Sequence, residues 1–292
     1  MFVIRKAGRA LRVAVLAALA GLFLLPVVVM LTNSFMSDFE IVNRYTAVVT
    51  PQNGYNQVNG VHFAEMGLIP FWVSLKQYGK LLFESPQILG LFWNSVQLAV
   101  PILLGQLAVS STAAYYFHIS KAKRKETLFF VYIVIMLMPM QVALVPNYIV
   151  ADFLRINNSY WAIILPAVFN PFGAFLIRQY LNGMSPEIVE AARLDGAGHF
   201  GVFRYVVLPL LKPAIAALAI LTFIDSWNIV DQAVVFIREP ALEPLSVYLS
   251  RFRTSGMDVV FAVSCFYMLP TIFVFLYGQE ELTSGISHSV LK

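Results

Sequence analysis

Four histidines, His62, His118, His199 and His288, are scattered along the sequence with no metal-ligand spacing, and the one cysteine, Cys265, stands in an apolar run. No phosphate-cradling G-x-x-x-x-G-K-[ST] occurs, and no Ser, His and Asp arrangement has a supporting motif. No enzyme activity, no metal and no cofactor bound by this chain is expected, and no nucleic-acid partner. The residues whose types and spacing stand out lie in two places. One is EAARLDGAGHFGVFRYVVLP, residues 190–209, a charged, glycine-broken segment between two long hydrophobic runs. The other is LTFIDSWNIVDQA, where Asp225, Asn228 and Gln232 recur at spacings of three and four and would share one face of a helix. A carboxylate near mid-bilayer costs about 3 kcal/mol on insertion scales. Asp225 is therefore expected to face a bundle interior, a water-filled cavity or a cation. Trp227 offers an aromatic face, and Asn94, Gln97, Gln141 and Asn170 are further polar residues inside apolar runs. The plain alternative is that the amides make interhelical hydrogen bonds of about 0.6 kcal/mol each, and that Trp227 packs or faces lipid.

The elements that must hold these residues are membrane helices. Of 292 residues, 59% are hydrophobic and 12% charged, with a mean hydropathy of +0.73; a soluble domain carries roughly 25% charged residues. A bilayer core of about 30 Å takes about 20 apolar residues per helix. Six runs qualify: 13–31, 90–117, 127–146, 161–181, 214–236 and 259–277. Prolines inside them (Pro26, Pro101, Pro139, Pro166, Pro171 and Pro270) are expected to kink the helices. The first run could be a signal peptide, but it is long for one and no A-x-A site follows, so an uncleaved first helix is expected. The expected fold class is an all-α membrane protein of six transmembrane helices. Residues 1–12 form a cytoplasmic N-terminus, 32–89 an outer loop, and 90–292 a core of five helices.

Most of the 20 Lys and Arg fall in residues 1–12, 118–126, 178–213 and 278–292, above all in HISKAKRKE. By the positive-inside rule both termini and the 182–213 segment face the cytoplasm. In the outer loop, TPQNGYNQVNG carries two Asn-Gly turn signals, and SLKQYGKLLF has near-helical apolar spacing that suits either the membrane surface or packing on the bundle.

Residues 185–209 read as two short helices. Ser185 is placed to cap the first by accepting from free amides, Pro186 suits its first position, and Glu187 favours the positive end of the dipole. Gly196 and Gly198 stop it. A second stretch, HFGVFRYVVL, then runs to Pro209.

The spacing Glu190-Ala191-Ala192, Gly196, Val206, Leu208-Pro209 resembles the EAA---G---------I-LP signature of bacterial ABC importer permeases, with valine for isoleucine at one position. FWNSVQLAV, MLMPMQVALVPNYIVADFLRINNSYWAIILP, FGAFLIRQYLNGMSPEIVEAARLDGA and the C-terminal ELTSGISHSVLK are similar to the carbohydrate-uptake, MalG-like members. The resemblance covers roughly residues 70–292; the tract from about 38 to 65 matches nothing specific. It implies a type I importer bundle whose segment 185–209 docks on a separate ATP-binding subunit. Glu190 would pair with a basic group there, Ala191 and Ala192 would allow close approach, Gly196 would make the turn, and Asp195, Leu208 and Pro209 would complete the segment. It implies a second permease, a dimer of ATP-binding subunits that use ATP and Mg, an extracytoplasmic solute-binding protein and a sugar substrate. A neutral polyhydroxyl solute suits the path candidates: amides, a carboxylate and the Trp227 ring. An ion-coupled secondary transporter using Asp225 and Asp231 is the alternative, but it leaves the EAA segment unexplained and shows no repeat. A membrane scaffold or receptor is a third.

Overall fold

The computed structural model describes residues 2–49, 57–58, 61–62, 67–120, 122–185, 187–251 and 259–290. The chain opens with a long helix, α1 (Phe2–Asn33), and a shorter one, α2 (Asp38–Val49). Two-residue strands β1 (Gln57–Val58) and β2 (Val61–His62) pair antiparallel. Both Asn-Gly pairs of the loop lie outside the described residues. Helix α3 (Lys76–Gly79) continues as a π-wound turn, Lys80–Glu84, before α4 (Pro86–Ile119). There follow α5 (Lys125–Met136), α6 (Met140–Phe153), α7 (Trp161–Val168), α8 (Pro171–Leu181) and α9 (Glu187–Leu194). A three-residue α10 (His199–Gly201), a π stretch Val202–Val207 and α11 (Leu208–Leu210) lead into α12 (Lys212–Trp227). The last helices are α13 (Asp231–Phe236), α14 (Leu245–Ser250) and α15 (Val260–Val290).

The helical character matches the expectation; the continuity of the passes does not. Among the described residues, four helical spans are long and apolar enough to cross a membrane by themselves: Leu11–Asn33, Pro86–Ile119, Trp161–Leu181 and Val260–Glu280. The expected third pass is broken. Pro139 has no N–H to give to the preceding turn and is itself extended at ψ 135°, and α5 and α6 meet at 103°. The expected fifth pass, 214–236, is broken as well. Helix α12 ends at Trp227, and its 16 residues reach only about 24 Å. At its end the backbone N–H of Asn228 donates to Ile224 O at 3.2 Å and the Asn228 side-chain amide donates to the same carbonyl at 2.8 Å. On the other side of α12, His199–Leu210 meets it at 74°. Pro26, Pro101, Pro166 and Pro270 stay inside their helices.

The chain divides into two compact units: residues 1–89 with 251–268, and residues 90–250 with 269–292. In the first, no residue of the most apolar window of α1 is buried. What is packed is the tract just beyond it. Met36 and Ile41 form a small core with Tyr45 and Phe261, and the buried Gln77 amide donates to Asn33 O and Met36 O, each at 2.9 Å. Glu40 and Arg44, one turn apart on α2, form a buried ion pair at 3.0 Å.

Among the described residues of the second unit, two buried clusters stand out. One gathers Leu98 and Ile102 of α4, Ala151 of α6, Ala162–Ile164 of α7, Ala233 and Phe236 of α13 and Val247 of α14. The other gathers Ala114 and Tyr115 of α4, Ile177 and Leu181 of α8, Val189 of α9 and the 202–218 stretch. Helices α4, α8 and α12 meet at Gly173, where a Cβ would lie 2.2 Å from Ser110 Oγ and 3.0 Å from Leu218 Cδ2. Only a residue without a side chain permits this approach, a common device where apolar burial gives helices no driving force to associate.

Candidate functional site

The segment 185–209 is built by its ends. The expected cap differs: the Ser185 hydroxyl donates to Glu187 Oε2 at 3.1 Å, and Ser185 enters the helix through its carbonyl, which accepts from Ile188 N–H at 3.4 Å. Pro186 lies outside the described residues. The C-terminus of α9 closes as a Schellman motif. Ala197 N–H donates to Ala192 O at 3.1 Å, Gly196 N–H donates to Arg193 O at 3.0 Å, and Gly196 sits at φ +86°. Gly196 is thus required for its left-handed backbone, and open space surrounds it.

Beyond the turn, Gly198 is extended, and the chain winds through the π stretch 202–207. Pro209 offers no N–H to the preceding turn, which accords with the non-α winding there. The Tyr115 hydroxyl of α4 donates to His199 O at 3.2 Å, and its ring lies 5.0 Å from that of Phe203. Val189, Val202 and Val207 are buried against the ends of α4 and α8.

This seating sorts the motif residues. Glu190, Ala191, Arg193, Leu194 and Asp195 are exposed, Leu194 at 88%. Ala192 is half-buried and packs on the inner core together with Ala197. The two alanines therefore do different things. Ala191 leaves a small step on the free face beside Glu190, and Ala192 lets α9 lie close to its own bundle. Leu208 is half-buried and Pro209 exposed.

The polar residues of the apolar runs separate in a way their spacing does not show. Asp225 is exposed near the end of α12, and among the described residues no cation is in ion-pair distance of it and no hydrogen bond joins it to Gln141, Asn170 or Gln232. Gln232 does not share its helix, because the break at 228–230 puts it on α13, half-buried. Asn228 is exposed, with its amide tied to Ile224 O. Asn170 is exposed, and its Oδ1 accepts from Phe172 N–H at 3.0 Å, capping α8 ahead of Pro171. Gln141 is exposed just after the α5–α6 bend.

Two candidates are placed away from any open surface. Trp227 is 1% exposed, stacked on Phe223 at 5.4 Å and edge-on to Phe92 at 5.4 Å, so its ring is packing and is not presented to a solute. Asn94 is buried, and its amide donates to Ala241 O at 2.7 Å and Glu243 O at 3.0 Å. Its neighbour Ser95 accepts from Leu245 N–H at 2.9 Å. The Asn-Ser pair thus holds the 240–246 turn against α4, satisfying carbonyls and an amide that a membrane interior would leave unpaired.

Two clusters escaped the sequence reading. Arg178 of α8, with its guanidinium 3.8 Å from the Phe129 ring centroid, donates to both Glu126 carboxylate oxygens at 2.7 and 2.9 Å. The Glu40–Arg44 pair is the other. Its i,i+4 spacing and the acidic first turn of DFEIVNRYTAVV were the signal for α2.

Residues 86–280 match the model of the family described as binding-protein-dependent transport system inner membrane component. The chain is 27% identical over 266 residues to the arabinooligosaccharides transport system permease protein AraQ of Halalkalibacterium halodurans, covering 89% of this chain and 92% of that one. It is 27% identical over 265 residues to the maltodextrin transport system permease protein MdxG of Bacillus subtilis, covering 88% and 93%. Its fold is similar to a chain of a bacterial ABC transporter involved in the import of the acidic polysaccharide alginate, with TM-score 0.76, 22% identity, and 94% and 96% coverage. The chain belongs to the binding-protein-dependent transport system inner membrane component family, as a membrane permease subunit of an ABC importer and not an enzyme.

Proposed function

We propose that this chain is one of two permease subunits that form the path of an ATP-driven importer for a carbohydrate or oligosaccharide. The bent α5–α6 pair then counts as one pass and α12 with α13 as another, giving six with the four long spans, and both termini and segment 185–209 lie at the cytoplasmic face. Helix α9 docks in a cleft of an ATP-binding subunit, and closure of the ATPase dimer moves it. ATP and Mg act on that partner. A solute-binding protein delivers the sugar from outside.

The observation that carries the docking reading is α9 itself. It is held to the bundle through Val189 and Ala192 and closed by the Gly196 turn. Glu190, Ala191 and Leu194 are left free on the opposite side. A partner that binds this face differently in two states shifts the bundle between them. The sugar class rests on the arabinooligosaccharides and maltodextrin named for the two relatives. Asp225, Asn228 and Gln141 are the exposed polar residues offered to a neutral polyhydroxyl solute; Asn170, Trp227 and Asn94 serve a helix cap, packing and a turn, and Gln232 stands half-buried on α13. Family membership sets aside the ion-coupled reading of Asp225 and Asp231.

The test is capture of this chain from its native membrane with mass spectrometry of what accompanies it. A second permease and a Walker-motif ATPase are expected; a lone chain under mild detergent refutes the assembly. In proteoliposomes of that assembly, Glu190→Lys is expected to leave insertion intact and to uncouple ATP hydrolysis from uptake. Full uptake by that variant removes Glu190 from the docking face.

A further inference from the structure

In the first unit, residues 68–75, LIPFWVSL, carry no charged side chain and expose more than half of the surface of each large apolar residue. Ile69, Phe71, Trp72, Val73 and Leu75, together with Phe83, range from 67% exposed at Leu75 to 85% at Phe83. So much contiguous apolar surface marks an interaction site, and its position says with what. We propose that this segment is a membrane-surface anchor, seated in the headgroup–acyl boundary of the leaflet in which α1 ends.

Three observations carry this. The first is continuity with a lipid-facing surface. The span Leu11–Asn33 has none of its most apolar window buried by the protein, and Val73 is bridged to Met36, three residues beyond its end. Three residues of chain reach at most about 10 Å, and each headgroup region is roughly 5–7 Å thick. The bridge therefore pins Val73 close to the level at which α1 leaves the hydrocarbon.

The second is that two of the segment's backbone amides are paired within the protein. The Phe71 N–H donates to both Glu40 carboxylate oxygens, at 3.0 and 3.1 Å, and Ser74 N–H donates to Phe35 O at 2.8 Å. Pro70 has no N–H to satisfy. Each amide so paired lowers the cost of placing an irregular segment at the acyl boundary. The Arg44 guanidinium lies 4.6 Å from the Phe71 ring centroid, so the buried Glu40–Arg44 pair braces the segment from behind.

The third is the residue types. Aromatic residues, Trp above all, collect at the membrane–water boundary. The charges begin only at Lys76, whose ammonium is 3.3 Å from Asp38 with its side chain 68% exposed. An occupant that is a folded protein would instead find a surface with no hydrogen-bonding rim within 68–75 except Ser74.

The inference rests on α1 crossing the bilayer, and its readout does not involve transport, so it fails or stands separately from the importer reading. Because Cys265 is the one cysteine of this chain, Cys265→Ser allows a single environment-sensitive label at Trp72→Cys in the full-length chain, reconstituted in phosphatidylethanolamine–phosphatidylglycerol vesicles. Blue-shifted emission is expected, with stronger quenching by lipid spin-labelled near the headgroup than near the chain end. Aqueous iodide should quench it less than the same label at Glu239→Cys. Iodide quenching without lipid quenching overturns the anchor in favour of a water-facing loop. Shielding from both quenchers overturns it in favour of a protein partner, and stronger quenching near the chain end overturns the boundary position. Ile69→Cys repeats the measurement independently if Trp72→Cys fails to assemble.

Discussion

Replacing Gly196 separates the turn of the 185–209 segment from everything else the segment does. Its φ of +86° costs glycine nothing, and no atom lies within 4 Å of the Cβ an alanine would add. The penalty for a substitution is therefore conformational and not a clash. A left-handed backbone costs an ordinary residue about 1–2 kcal/mol, and asparagine tolerates it better than alanine or a β-branched residue. Two hydrogen bonds hold the turn, Ala197 N–H to Ala192 O and Gly196 N–H to Arg193 O, each worth about 0.5–1.5 kcal/mol net. Strain and restraint are thus of similar size. A shift of 1–2 kcal/mol changes the fraction of molecules with the native turn by about 5–30-fold. The core contacts of Val189 and Val202 do not depend on that residue, so insertion and assembly should survive. The assay is the ratio of solute imported to ATP hydrolysed in proteoliposomes. Gly196→Asn should stay near wild type, Gly196→Ala should fall, and Gly196→Val should fall furthest. Equal coupling by the asparagine and valine variants would refute the turn as the element that sets the angle of α9.

Other perturbations test the remaining pieces. Glu190→Lys should uncouple hydrolysis from uptake without loss of assembly, read by paired ATPase and uptake assays. Glu40→Leu leaves Arg44 buried without a counter-ion; removing one partner of such a pair costs about 3–5 kcal/mol, so the melting midpoint of the detergent-solubilised complex should drop. Asp225→Ala should weaken uptake more than it weakens assembly; unchanged uptake kinetics would make the carboxylate structural. Partial burial alone would raise the Asp38 carboxyl, but the ammonium groups of Lys80 and Lys76 outweigh it and hold the group below its ordinary value of 3.8. Because the folded-state value is depressed, the contribution is complete above the ordinary value and is lost as pH falls from there through the depressed one. Asp38→Asn should therefore abolish whatever part of the acid destabilisation below about pH 4 this group causes, as followed by thermal melts across that range.

The boundary between what was legible and what was not follows the range of the interactions. Gly196 was legible because a left-handed turn is a property of one residue and its immediate neighbours. The bend at Pro139 was expected as a kink for the same reason, although its 103° was not. The apolar runs announced membrane helices, since transfer into hydrocarbon is a sum over residues that needs no partner. The face shared by Asp225, Asn228 and Gln232 was misjudged because apolar periodicity does not register a helix end made by Asn228 folding its amide onto Ile224.

The sequence alone settled the membrane class, the apolar character of the long runs and the positions of the acidic and glycine residues in the 185–209 segment. Each of these is local in the chain. Only the tertiary structure decided that Ala191 faces out while Ala192 faces its own bundle, and that Asn94 is spent on carbonyls nearly 150 residues away. It also decided that Trp227 is closed between two phenylalanines. A side chain's type states what it is able to bind. Whether it is free to do so depends on neighbours brought from elsewhere in the chain, and no local pattern carries that information.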